Sequence, residues 1–139
     1  MDGDRPLSAA SFNTMAESKR VVALAVVEDR FACHEAWMAA GYAVEFALKA
    51  LIIRRSRLNG WPTKDSRPDL YTHNLRDLFI AAGVDFKTVP KAQRGAVRTV
   101  LDWDRAHEYR NGRMSRANAR SMVKAAFDDD GVVAWLQSL

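Results

Sequence analysis

Apolar residues recur every three or four positions along most of this chain, and that spacing predicts helices. Phe12, Met15, Val22 and Val26, with Ala16 and Ala25 beside them, outline a first helix from Ser8 or Ser11 to about Glu28, with either serine able to cap it. A second helix from about His34 to Arg57 carries Trp37, Gly41, Val44, Leu48, Leu51 and Ile52 on one apolar face. Glu45 and Lys49 lie beside that face in the acid-before-base order that suits an intrahelical pair. Neither glycine nor proline separates the two helices. One unbroken helix of that length would be unusual, so a bend is expected near Asp29-Arg30-Phe31, and a continuous helix through residues 29–33 stays open as the alternative.

From Leu58 to Tyr71, Asn59-Gly60, Trp61-Pro62 and Arg67-Pro68-Asp69 each disfavour helix and predict a loop. A short third helix follows, capped by Thr72, with Leu75, Leu78, Phe79 and Ala82 on one side and Gly83 at its end. Pro90 opens a fourth helix that carries Val97, Val100 and Leu101 and runs to about Glu108. After Asn111-Gly112, Ser115 caps a last helical region with Ala119, Met122, Val123 and Ala126. Asp128-Asp129-Asp130-Gly131 interrupts it, and it resumes through Val132, Val133, Trp135, Leu136 and Leu139. No segment alternates with period two over a useful length, which argues against a sheet. The expectation is one all-α domain over residues 1–139, an antiparallel bundle of about five helices, with residues 1–7 flexible.

Composition narrows the class. At 139 residues the chain suits one domain with its own core, without disulfide or metal staples. The single cysteine, Cys33, can form no internal disulfide, and Met1 to Arg5 lacks the order of a signal peptide, so a reducing cytoplasm is expected. Apolar runs such as Val21 to Val27 and Ala47 to Ile53 fall short of the roughly 20 residues of a membrane span, so no membrane association is expected. Charge is unevenly spread. Lys87 to Lys124 holds ten basic and three acidic residues, a local +7, against +4 for the whole chain. Such a field attracts polyanions, RNA among them, although a solvated basic surface is the plainer reading.

The run Ala39-Ala40-Gly41-Tyr42-Ala43-Val44-Glu45-Phe46-Ala47-Leu48-Lys49-Ala50-Leu51-Ile52, followed after a loop by Thr72-His73-Asn74-Leu75-Arg76-Asp77-Leu78, resembles the HEPN superfamily. There an alanine-rich second helix carries a glutamate and then a lysine, and a threonine-histidine-x-leucine segment opens the next helix. Trp103 to Tyr109, Met114-Ser115 and Ala125 to Leu136 also resemble the family's closing pattern. The resemblance implies a four- to five-helix bundle, often a homodimer. Members serve as metal-independent ribonucleases, as toxins with antitoxin partners, or as noncatalytic RNA- or nucleotide-binding modules. A nucleotidyltransferase-like antitoxin is a possible partner on the same ground.

Ribonuclease members carry an arginine followed, after four to six residues, by a histidine. Histidine, with a pKa of about 6.5, can move the proton of a ribose 2′-hydroxyl, while arginine holds the phosphate. His107 is the best-placed histidine, and His107-Glu108-Tyr109 resembles one family ending. The positions that should supply the arginine are Val100, Leu101 and Asp102, so the motif is degenerate. On a straight helix with about 100° per residue, Arg98 and Arg105 fall opposite His107, whereas Asp104 and Arg110 share its face. A site in which Asp104 orients His107 and Arg110 holds phosphate is conceivable, but a packed histidine is the commoner outcome. Arg67 and His73 have the formal spacing, yet they lie in or just after the loop, where the match reads as accidental.

No cluster has zinc-ligand spacing and no glycine-rich phosphate loop occurs, so neither metal nor cofactor is expected. Arg113, Arg116, Arg120 and Lys124 form a basic stripe, and Lys91, Arg94 and Arg98 a second. Arg105 adds charge, and Tyr109 or Trp103 could stack a base, although Trp103 beside Val100 reads more readily as core. The leading expectation is a noncatalytic RNA- or nucleotide-associated HEPN-type domain, of the kind found within toxin-antitoxin or defence systems. The alternatives are a metal-independent endoribonuclease toxin using His107, and a protein-interaction or dimerisation module.

Overall fold

The Ser11 amide donates to the Ser8 hydroxyl at 3.0 Å, and at this cap α1 (Ala9–Val26) begins. In a computed structural model that describes residues 5–103 and 114–139, six α-helices and no strand occur among the described residues. α1 buries Phe12, Ala16 and Ala23 along α2 (Cys33–Arg55). Val22, expected in the core, is instead 47% exposed. Small side chains let two helices approach closely. The phase that sets Ala16 and Ala23 against the alanine-rich α2 turns Val21, Val22 and Leu24 outward.

The chain does break between the first two helices. The Asp29 carboxylate accepts from the Phe31 and Ala32 amides at 2.7 and 3.1 Å, which forms the turn that neither glycine nor proline announces. α2 is then buried on nearly every side rather than along one face, because α1, α3, α5 and α6 all pack against it. It is long and apolar enough to cross a membrane by length and composition, contrary to the reading of shorter apolar runs. Of that apolar window, 83% is buried inside the bundle. Near its C-terminal end, Arg54 donates to the Leu136 carbonyl at 3.1 Å and Arg55 to the Ala82 carbonyl at 2.8 Å. Both guanidinium groups thereby meet carbonyls at or near the C-terminal ends of other helices, where positive charge is favoured.

The segment 58–71 holds no α-helix, only a 3-10 turn at Pro68–Leu70 that buries Leu70. It also holds the start of the described chain. The Trp61 amide donates to the Leu7 carbonyl at 2.8 Å, so the stretch expected to be flexible is tied down at its last residue. α3 (Leu75–Ala81) is capped by Asn74, whose side chain accepts from the Asp77 amide, and not by Thr72. Thr72 instead accepts from the Asn74 amide and shapes the turn before the helix. Leu75, Leu78, Phe79 and Ala82 are buried as their spacing predicts, and Gly83, at φ 77°, supplies the left-handed residue that ends the helix.

Pro90 precedes α4 (Lys91–Leu101), which stops at Leu101, earlier than the spacing predicts. The Asp102 and Trp103 amides bond back to Thr99 and Val100 and close it. Ser115 caps α5 (Arg116–Phe127) by accepting from the Asn118 amide, and α6 (Val132–Ser138) follows the expected break. Leu139, read as part of the last apolar face, is 43% exposed. One buried apolar cluster takes side chains from all six helices.

Candidate functional site

Glu45 is the one charged side chain buried in the core among the described residues, at 2% exposure. Its carboxylate takes two partners: Lys49 Nζ donates to Oε2 at 3.2 Å, and His73 Nδ1 donates to Oε1 at 3.1 Å. Lys49 also lies 5.2 Å from the Trp61 ring centroid and 5.9 Å from that of Phe12. The pair predicted within α2 is therefore the centre of a part-buried cluster that joins α2, the loop and the entry to α3. Arg67 makes no pair with His73. Its guanidinium forms a bidentate contact with Asp69 at 3.0 and 2.8 Å on the surface.

Asp104, Arg105, His107, Tyr109, Arg110 and Arg113 lie outside the described residues. The described residues on either side of that stretch both rest on α2. Trp103 is 5% exposed against Gly41, with the Trp37 and Tyr42 rings 5.8 and 5.5 Å away. Cys33 Sγ donates to the Met114 carbonyl at 3.4 Å. Trp103 is thus a core residue and is not available to stack a base, and its buried indole Nε1 has no hydrogen-bond partner among the described residues.

The basic residues separate into three places. Arg120 forms a bidentate salt bridge with Glu28, and Arg116 reaches the Glu28 carbonyl at 3.5 Å. The Arg120 guanidinium bonded to Glu28 holds that carboxyl below the ordinary carboxylate range, so the link persists at neutral pH and is lost only as acid titrates the carboxylate through its lowered pKa. Lys124 lines an open groove between α4 and α5 together with Asp128 and Asp130. These three cations therefore have acidic neighbours.

Arg98 differs. It lines a groove of about 300 Å³ with Arg94, one turn earlier on α4, and Arg76, from the first turn of α3. Phe86, Val97 and Leu101 form its apolar wall. The Arg76 guanidinium carbon lies 5.2 Å from the Phe86 ring centroid. Arg94 Nε donates to the Val89 carbonyl at 3.1 Å, which leaves its terminal amino groups for other acceptors. Arg76 and Phe86 were not legible as site residues, because they come from elements remote in sequence and follow no spacing shared with α4. Among the described residues no three His, Cys, Asp or Glu side chains gather as metal ligands would. No family model, curated protein or solved structure matches the chain.

Proposed function

We propose that this protein is a HEPN-type helical domain that associates with RNA or a nucleotide without an intact ribonuclease motif. The observation that carries the reading is the meeting of Glu45 and Lys49 with His73. These residues come from the two separated segments on which the resemblance rests, and their bonding gives that pairing of segments a physical reason. The missing arginine before His107 favours binding over cleavage.

Purified protein incubated with unstructured RNA is expected to bind it at low salt, to lose affinity as salt rises, and to leave no 2′,3′-cyclic phosphate ends. Cleavage that disappears in His107→Ala would replace this reading with the ribonuclease toxin. Absence of any affinity for RNA or nucleotide at low salt would leave an interaction module.

A homodimer is part of the same proposal. Val21, Val22 and Leu24 are 57, 47 and 49% exposed along the second half of α1, an apolar face that a second copy could cover. Sedimentation should therefore show a dimer that Val21→Glu with Leu24→Glu converts to monomer. A wild-type monomer at the concentrations of the RNA assay would remove this part of the reading.

A further inference from the structure

We infer that the groove formed by Arg76, Arg94 and Arg98 binds the phosphate of a nucleotide unit, an assignment that rests on the RNA- or nucleotide-associated reading and gives it a location. Three guanidinium groups from two helices line one small groove, no acidic residue lines it among the described residues, and none of the three makes a salt bridge with a described residue. Three arginines elsewhere on the surface are instead paired, Arg20 with Glu17, Arg67 with Asp69 and Arg120 with Glu28.

Like charges one turn apart on a helix repel. Arg94 and Arg98 are exposed, so water screens part of that repulsion, while the buried Val97 and the half-buried Phe86 and Leu101 give the groove an apolar wall. An anion in the groove would relieve the repulsion. Planar guanidinium forks match phosphate oxygens in pairs, which a point charge such as lysine does not. Two of the three forks are partly ordered before any ligand arrives, Arg94 by the Val89 carbonyl and Arg76 by the Phe86 ring. Pre-ordering lowers the entropy lost on binding. The Phe86, Val97 and Leu101 surface beside the cations suits the apolar faces of a ribose and base. The volume lies at the lower end of ligand sites, enough for a single mononucleotide unit.

The test compares a 5′-nucleoside monophosphate, the same nucleoside without phosphate, and an unstructured oligoribonucleotide, each titrated into the full chain at low salt. The nucleotide should bind and the nucleoside should not. Arg76→Gln and Arg98→Gln, both at exposed positions and checked for helix content, should each weaken nucleotide binding by about tenfold, the loss of one charge-assisted contact. Arg98→Lys should fall between wild type and Arg98→Gln, because charge is kept and the fork is lost. Arg20→Gln and Arg67→Gln remove equal charge elsewhere and should stay within about twofold, since exposed, distant charges are screened. Oligoribonucleotide binding that follows the same order identifies the phosphate as one in an RNA chain, and loss confined to the mononucleotide identifies a free nucleotide. Nucleotide and RNA binding that are both unchanged in the groove variants, or nucleoside binding equal to nucleotide binding, overturns this site and leaves the proposed function standing. Failure of the wild type to bind either phosphorylated ligand overturns both.

Discussion

Gly41→Ala should destabilise the bundle by about 2 to 4 kcal/mol, although alanine is the better helix former by about 1 kcal/mol. A Cβ at Gly41 would lie 1.9 Å from Trp103 Cε2, far inside van der Waals contact. The indole is rigid and buried, with Trp37 and Tyr42 beside it, so it must leave its seat. Expelling a buried aromatic side chain costs about 3 to 5 kcal/mol, which outweighs the propensity gain. Urea denaturation of the single and double variants distinguishes this account from a general intolerance of α2 to change. In a Trp103→Leu background the clash is gone, and Gly41→Ala should become neutral or mildly stabilising. A cost that is the same in both backgrounds would show that Trp103 is not the reason glycine stands at position 41. The effect also bears on the candidate catalytic stretch, because Trp103 is the residue from which the chain enters it.

Glu45→Ala is expected to cost about 3 to 5 kcal/mol, the range for breaking a buried ion pair by removing one partner. The Glu45 and Lys49 side chains are 3 and 14% exposed, so the ammonium left behind would be poorly hydrated. His73→Ala should cost less, about 1 kcal/mol, because its side chain is 51% exposed and water can replace it. Replacing both buried charges by apolar residues, as Glu45→Leu with Lys49→Met, should recover most of the loss, since burying a pair costs nearly as much desolvation as its attraction returns. Equal loss in the single and double variants, measured by chemical denaturation, would mean that packing rather than charge compensation governs the site.

The candidate site was partly readable in the linear pattern. Glu45 and Lys49 stand four residues apart, and that spacing identifies an intrahelical pair; Thr72-His73 can be noticed as a motif. Their union could not be read, because His73 approaches from a loop whose path depends on contacts such as Trp61 with Leu7. Arg94 and Arg98 show their common face through the four-residue spacing. Arg76 joins them only because α3 packs beside α4. The basic stripe of α5 reads as free in sequence and is engaged in the fold, since Glu28, in the turn after α1, meets Arg116 and Arg120.

Local periodicity was sufficient for the helices themselves, a serine cap on α1 at either Ser8 or Ser11, the cap at Ser115, the stop at Gly83 and the all-α class. Each of those depends on residues within a turn or two of one another. Helix phase was beyond its reach: Val22 fits an apolar stripe as well as Ala23 does, and packing against α2 chose the alanine. So were the end of α4 at Leu101, the enclosure of α2 on nearly every side and the grouping of three arginines. Those features arise from energies shared between distant elements, where close approach, buried charge and expelled water are settled jointly rather than by any one helix.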